Sequence, residues 1–196
     1  MRVTLAGGEP LLRDDAIDLI RGIAARRMRC DLLTNGWPVT PEVAHRLKQI
    51  GRCASVGVSL GGSTEEIHEL WRGQGPFGRA LNATKILSDQ GLPVTVRVNV
   101  HAHNIEDLPA VARLLLDDIG LAFFHVAGVS SIGTHAKYRE DVFPTAAQRL
   151  RAMRLLATGD KTMLPRDTPA AQHLVDNGAL LLYTFQWELM RLAGNF

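Results

Sequence analysis

A chain of 196 residues, 46% of them hydrophobic, is long enough to bury the core of one domain, and we expect a single domain. Its formal net charge is +2 with acids and bases interspersed, so no nucleic-acid partner is expected. The sequence has no apolar stretch of about 18 residues and no secretory pattern at its N-terminus, so we expect no membrane partner and a cytoplasmic location.

The predicted elements alternate between strands and helices. Five runs of β-branched or apolar residues predict strands: Arg2–Ala6, Arg29–Leu33, Ser55–Leu60, Val94–Val100 and Leu121–Ala127. Helical patterns follow them, at Asp14–Met28, after Thr40-Pro41, from a capping box at Ser63, from Phe77 to Gly91, over Ile105–Leu116 with Asn104 as N-cap, and from Thr145. The alternation predicts an α/β fold with a parallel sheet, either doubly wound or a (βα) barrel.

In both architectures functional residues gather at the C-terminal ends of the strands. Those ends are polar or glycine-rich here: Gly7-Gly8-Glu9-Pro10, Thr34-Asn35-Gly36, Ser59 to Gly62, Asn99, and residues 128–133. Glycine lets backbone groups reach a ligand with no Cβ in the way, and proline stiffens the exit. Taken singly, each motif also has a plain structural explanation, because Gly-Gly and Thr-Asn-Gly are ordinary turns, Ser59 could satisfy neighbouring backbone, and Arg72 could be a surface charge.

The order of these motifs is more specific than any one of them. Gly-Gly-Glu-Pro, Thr-Asn-Gly, Val58 to Gly62, Trp71-Arg72-Gly73, a strand with Asn99, and then Val129 to Gly133 resemble a radical S-adenosylmethionine (SAM) domain from its second strand to its sixth. Ser-Leu-x-Gly, Arg-Gly and Ile132-Gly133 are similar to the peptide- and protein-maturing, SPASM-like branch of that family. The resemblance therefore implies a partial (βα) barrel of about five strand-helix units with its first strand missing.

The resemblance also implies a role for each matched residue. Gly7, Gly8, Glu9 and Pro10 would line the methionine amino group of SAM, and Thr34 and Asn35 would approach the cofactor from the next strand. Ser59 would hydrogen-bond the ribose or the carboxylate, and Arg72 would pair with the carboxylate. Asn99 would face the ribose, and the backbone of Val129 to Gly133 would flank the adenine. Gly61 stands where the family often has Asp. No catalytic residue and no metal ligand is assigned, and His68 is expected to be solvated on a helix.

The family's chemistry uses a [4Fe-4S] cluster held by a Cys-x3-Cys-x2-Cys loop after the first strand. This sequence has two cysteines, Cys30 and Cys53, which we expect to be small buried hydrophobes. We therefore expect a truncated radical SAM core at 1–159, with a helical tail of unknown role at 160–196. The explanations that stay open are a fragment or a wrongly placed start, which we favour, and a protein that has discarded the cluster. The cluster and an electron donor would belong to a full-length parent, and the exposed edge of the first strand could self-associate.

The expected function is the SAM-binding portion of a radical SAM enzyme. The parent would cleave SAM to a 5′-deoxyadenosyl radical that abstracts hydrogen from a substrate, such as a peptide or protein, and this chain alone would be inactive. Two alternatives stay open. One is a non-catalytic partner or substrate-binding protein on a degenerate barrel, and the other is a non-radical α/β enzyme that binds a phosphate or a nucleotide at the same strand ends.

Overall fold

A computed structural model describes residues 1–72, 76–128 and 142–157 of the 196. Within these residues five strands form one sheet: β1 (Arg2–Leu5), β2 (Arg29–Thr34), β3 (Cys53–Leu60), β4 (Val94–Val100) and β5 (His125–Gly128). The helices are α1 (Ala16–Ala25), α2 (Pro41–Ile50), α3 (Glu65–Arg72), α4 (Phe77–Asp89), α5 (Leu108–Arg113), which continues as a π-helical turn over Leu114–Asp118, and α6 (Ala146–Ala157). The expected helical tail, 160–196, lies outside the described residues.

The strands are hydrogen-bonded in chain order, β1-β2-β3-β4-β5. The ladders β1·β2 and β2·β3 are parallel, with Leu5 opposite Leu32 and Thr34 opposite Val58. A doubly wound sheet would reverse its strand order at a switch point, whereas a (βα) barrel adds each new strand to the same side. The order therefore confirms the α/β class and the (βα)-barrel type of sheet.

Two compact units share the chain. The first comprises Met1–Leu60 and Arg72–Arg97, and the second comprises Gly61–Trp71 and the described residues from Val98 onward. In the first unit one face of the sheet is covered by helices, and its core is fully buried: Ile20, Leu32, Leu47, Val56, Val58, Ala80 and Leu87. Strand residues alternate between faces, so Ser55, Gly57 and Ser59 point to the opposite, open face.

Helix α2 begins as the sequence predicts. Thr40 Oγ1 accepts a hydrogen bond of 3.2 Å from Val43 N, and Pro41 occupies the first turn. The helix ends at Gly51, whose φ of 71° is the left-handed conformation favoured by glycine. These local signals fix where α2 begins and ends in the chain.

The second unit differs from the sequence expectation at two helix starts. Thr64, not Ser63, caps α3, because Ile67 N donates to Thr64 Oγ1 at 3.4 Å while Ser63 N donates to Asp107 Oδ2 at 2.7 Å. The helix predicted from Ile105 begins at Leu108, with Pro109 in its first turn. Asn104 is therefore not an N-cap, since its side chain binds backbone groups elsewhere. Thr145 and Gln148 do form the predicted capping box before α6.

Candidate functional site

The Gly-Gly turn after β1 presents bare backbone to solvent. Gly7 has a φ of 143°, and a Cβ added at Gly7 or at Gly8 would meet no atom within 4 Å. Both glycines are exposed. Beyond them Pro10–Leu12 form one turn of 3-10 helix, whose Leu11 N donates to Glu9 Oε1 at 3.1 Å. The turn is thus open on its outer side and fixed at its base.

The Glu9 carboxylate ties the ends of β1 and β2 together. Glu9 Oε1 accepts from Thr34 Oγ1 at 2.9 Å, and Glu9 Oε2 accepts from Asn35 N at 2.6 Å. With Leu11 N it has three donors, and an ionised carboxylate offers about four acceptor positions. One position is left for a further donor, such as an ammonium group. Glu9 therefore both holds the two strand ends in place and keeps capacity to accept from a ligand.

Thr34 to Trp37 form a turn that packs on α4. Gly36 N donates to Thr34 Oγ1 at 3.1 Å, and Trp37 N donates to Asn35 Oδ1 at 2.8 Å. Gly36 has a φ of 86°, and a Cβ there would lie 3.0 Å from Ala83 Cβ, so a side chain has no room. The plain turn that the sequence allows is thus present, and it lies beside Glu9.

Ser59 lies on the open face of the sheet, level with the ends of β1 and β2. Thr34 is opposite Val58, so Ser59 is one residue further along β3. Val56 N donates to Pro93 O at 2.9 Å, a parallel-ladder bond that sets Ser59 opposite Arg97. Arg97 was not singled out from the sequence. The aliphatic part of the Arg97 side chain packs over Gly57, where a Cβ would lie 3.3 Å from Arg97 Cδ. A glycine inside β3 was therefore the sequence signal that could have indicated a side chain lying across this strand.

Arg72, the last residue of α3, is half-buried. Its Nε is buried, and no acceptor among the described residues lies within hydrogen-bonding distance of it. Burial lowers the pKa of the Arg72 guanidinium, because the charged form loses contact with water. An arginine stays protonated in proteins, so an anionic ligand would relieve this cost.

Asn99, at the end of β4, belongs to the second unit. Its backbone oxygen accepts from Asn104 Nδ2 at 2.8 Å, and its side chain is half-buried. His68 was expected to be solvated, and this expectation is wrong. His68 is fully buried, and its Nδ1 accepts from Gly61 N at 3.1 Å. The short loop after β3 brings this face of α3 back onto the strand end, which the helical pattern alone did not show.

Val129 and Gly133, expected beside adenine, lie outside the described residues. The other expected site residues divide between the units. Gly7, Gly8, Glu9, Pro10, Thr34, Asn35, Ser59 and Arg72 lie in the first unit, and Asn99 lies in the second. Within the first unit the C-terminal ends of β1, β2 and β3 lie side by side at one edge of the sheet.

The cysteines do not fit a [4Fe-4S] cluster. Cys30 and Cys53 are buried, free and opposite each other on β2 and β3, as expected for small hydrophobes. Burial and the nearby Asp31 carboxylate raise the pKa of Cys30 to about 11, and burial, Cys30 and Asp31 raise that of Cys53 to about 12. A cluster site needs three thiolates, and the sequence has two thiols that are both held protonated at neutral pH.

Of the helices in the described ranges, none combines the length and the apolar character that a membrane span requires.

Comparison with known proteins decides the family. The model of the Radical SAM superfamily matches residues 2–115. The chain belongs to the radical SAM superfamily. This radical SAM chain is 33% identical over 163 residues to mycofactocin maturase MftC of Mycobacterium ulcerans (strain Agy99), a match that covers 82% of the chain and 43% of MftC. It is 28% identical over 161 residues to PqqA peptide cyclase of Ruegeria pomeroyi, covering 82% of the chain and 42% of the cyclase.

The chain therefore spans less than half the length of these curated relatives. Solved structures share its fold at low identity. SuiB of Streptococcus suis superposes with a TM-score of 0.69 at 17% identity, covering 86% of the chain and 37% of SuiB. The structure titled native anSMEcpe with bound AdoMet and Kp18Cys peptide gives a TM-score of 0.66 at 17% identity, covering 80% of the chain and 45% of that protein. The radical SAM fold expected from the motifs is thus confirmed.

Proposed function

We propose that this radical SAM chain binds SAM at the C-terminal ends of β1, β2 and β3. The observation that carries the proposal is the exposed Gly7-Gly8 backbone, which has open space where a Cβ would stand, beside a Glu9 carboxylate with one acceptor position left. Backbone and carboxylate oxygens there would accept hydrogen bonds from the methionine ammonium group, and Pro10 would stiffen the turn.

The other matched residues would bind the remaining groups of SAM. Arg72 would pair with the carboxylate, because its guanidinium is half-buried and its Nε lacks an acceptor among the described residues. Ser59 would hydrogen-bond the carboxylate or the ribose from the open face. Thr34 and Asn35 would form the rim next to Glu9, Asn99 would face the ribose, and Val129 and Gly133 would flank the adenine.

When bound, SAM in this family supplies a 5′-deoxyadenosyl radical that abstracts hydrogen from a substrate. The substrate class that we propose for the whole protein is a peptide or protein. Support comes from the names of its relatives, a maturase and a peptide cyclase, and from neighbouring structures titled with bound peptides, including SuiB with the precursor peptide SuiA. Both kinds of match cover less than half of the relative.

We also propose that the 196-residue chain binds SAM without cleaving it. Two buried thiols with raised pKa values cannot supply the three thiolates of a cluster. The remaining residues that bind SAM would still act by fixing and orienting it.

The test combines a binding and a cleavage assay under anaerobic conditions. Calorimetry should show one saturable SAM site per chain that ATP and inorganic phosphate do not occupy. Incubation with SAM and dithionite should yield no 5′-deoxyadenosine by chromatography. Binding of ATP in preference to SAM would instead support a nucleotide-binding α/β protein, and formation of 5′-deoxyadenosine would contradict the proposed inactivity.

A further inference from the structure

In the second unit the buried side chain of Asn104 bridges several backbone groups by hydrogen bonds. Its side chain is fully buried, and its Nδ2 donates to Gly61 O at 2.9 Å and to Asn99 O at 2.8 Å. Its Oδ1 accepts from His101 N at 2.9 Å. The amide therefore uses both of its N–H donors and its acceptor on backbone groups, and all three lie at the C-terminal ends of β3 and β4.

These backbone groups belong to two neighbouring strands. Gly61 directly follows β3, and Asn99 is the penultimate residue of β4. Gly61 is held from its other side as well, because Gly61 N donates to His68 Nδ1 at 3.1 Å. Asn104 thus joins the end of β3 to the end of β4, as Glu9 joins the end of β1 to the end of β2.

A tight turn directly after β4 places Asn104 beside these backbone groups. Asn104 lies four residues after β4, and its N–H donates to His101 O at 3.1 Å, which closes a tight turn. Asparagine is suited to such turns because its short amide reaches backbone groups a few residues away. If Asn104 were absent, Asn99 O would lose this donor, and Gly61 O would keep its longer contact of 3.3 Å with His101 Nε2. Loss of a buried hydrogen bond of this kind forces the acceptor to rearrange or to take up water.

We propose that Asn104 is a positioning residue for the nucleoside half of SAM. This inference rests on the proposed function, in which Asn99 faces the ribose. Asn104 would act through the backbones of Asn99 and Gly61, without touching the ligand. Glu9 and Gly8, in the first unit, would serve the amino-acid half.

The experiment uses two ligands, SAM and 5′-methylthioadenosine, which has the nucleoside but neither the ammonium nor the carboxylate group. Calorimetry with Asn104→Ala should show at least about a tenfold loss of affinity for both ligands, as expected when a well-oriented polar contact is lost. Gly8→Ala should weaken SAM alone. Asn104→Asp keeps the acceptor for His101 N and replaces the NH2 group, with both of its N–H donors, by one carboxylate oxygen. It should therefore lose affinity as Asn104→Ala does.

Two controls separate positioning from general destabilisation. Val111→Ala removes buried methyl groups from α5 in the same unit and should lower the melting temperature without changing either affinity. Glu106→Gln removes an exposed ion pair with Arg151 two residues from Asn104 and should change neither affinity. All titrations are made well below each variant's melting temperature.

The outcomes distinguish this inference from the proposed function. If the unaltered chain binds SAM and Asn104→Ala binds both ligands equally well, the positioning role alone is overturned. A loss for SAM with unchanged binding of 5′-methylthioadenosine would also overturn it, because the effect would then lie in the amino-acid half. Failure of the unaltered chain to bind SAM would overturn both proposals.

Discussion

Glu9 Oε2 lies 2.6 Å from the backbone nitrogen of Asn35, across the ends of two neighbouring parallel strands. The residues are 26 positions apart in the chain, so this hydrogen bond and the one from Thr34 Oγ1 close the β1-α1-β2 unit at the C-terminal ends of its strands. An acid in this motif thus has a structural partner even before any ligand arrives.

Replacement of Glu9 by Gln should weaken both stability and SAM binding. The glutamine amide would set N–H groups against Asn35 N or Thr34 Oγ1, so we expect the free energy of unfolding to fall by about 1–3 kcal/mol, the range for a lost charged hydrogen bond. Urea unfolding measures this change. A double-mutant cycle with Thr34→Val should show coupling, and additive effects of the two changes would contradict the contact's importance.

Replacement of Arg72 by Ala should weaken SAM binding by about 1.5–3 kcal/mol if its guanidinium pairs with the carboxylate. The same change should leave decarboxylated SAM, which lacks that group, bound as before. Arg46 is an exposed arginine on α2, and Arg46→Ala serves as the matched control. If Arg97→Ala abolishes the preference for SAM over its decarboxylated form and Arg72→Ala does not, the carboxylate lies beside Ser59 and Arg97 instead.

The buried thiols should make stability fall at alkaline pH. Both pKa values rise on folding from an ordinary 9.0, to about 11 for Cys30 and about 12 for Cys53. The contribution of the thiols is complete below about pH 9 and is lost as pH rises toward 12, because the unfolded chain releases these protons first. Urea unfolding between pH 8 and pH 11 should show a smaller decline in Cys30→Ala/Cys53→Ala. An equal decline in both proteins would show that other groups cause it.

Much of the fold could be predicted from the sequence, because strand and helix periodicity is local. The bounds of β4 agree with the prediction, and those of β2 and β3 differ by two residues at most. The start of β5 at His125, four residues later than expected, and the start of α5 at Leu108 could not be predicted, since both depend on which backbone groups pair in three dimensions.

The candidate site was harder to predict in detail. The order of the motifs indicated which strand ends lie together. The hydrogen bonds by which Glu9 and Asn104 join those ends could not be predicted, because each requires a side chain to reach a neighbouring strand. Burial of His68 likewise depends on how α3 returns to the end of β3. Spacing along the chain carries no signal for such contacts, because each joins residues brought together only by folding.

Strand β1 should allow self-association. It stands at the end of the strand order, and Arg29 N donates to Met1 O at 3.1 Å, so in a parallel ladder the N–H and C=O of Thr4 point away from β2. A nearby pocket of about 290 Å³ with walls from Leu5, Pro10, Leu19 and Ile20 adds apolar surface. We expect a concentration-dependent dimer with a second copy of this chain.

Sedimentation analysis of Thr4→Pro tests this association. Proline is tolerated on an edge strand where its missing N–H would face solvent, so the variant should fold and remain monomeric. Its melting temperature serves as the folding control. A variant that dimerises as strongly as the unaltered chain would place the contact elsewhere, and a strictly monomeric unaltered chain would refute the association.

The variant Gly8→Ala tests our proposal that the Gly7-Gly8 turn receives SAM. Gly78, in the first turn of α4, is the matched control, because a Cβ at Gly8 or at Gly78 would meet no protein atom within 4 Å and neither residue has a positive φ. Neither alanine variant should therefore unfold at a lower denaturant concentration than the unaltered chain, and Gly78→Ala should be slightly more stable because alanine favours the helix more than glycine does. Calorimetric titration with SAM should show at least about a tenfold weaker affinity for Gly8→Ala and no change for Gly78→Ala. Equal SAM affinity in all three proteins would contradict the proposal that SAM binds at the Gly7-Gly8 turn.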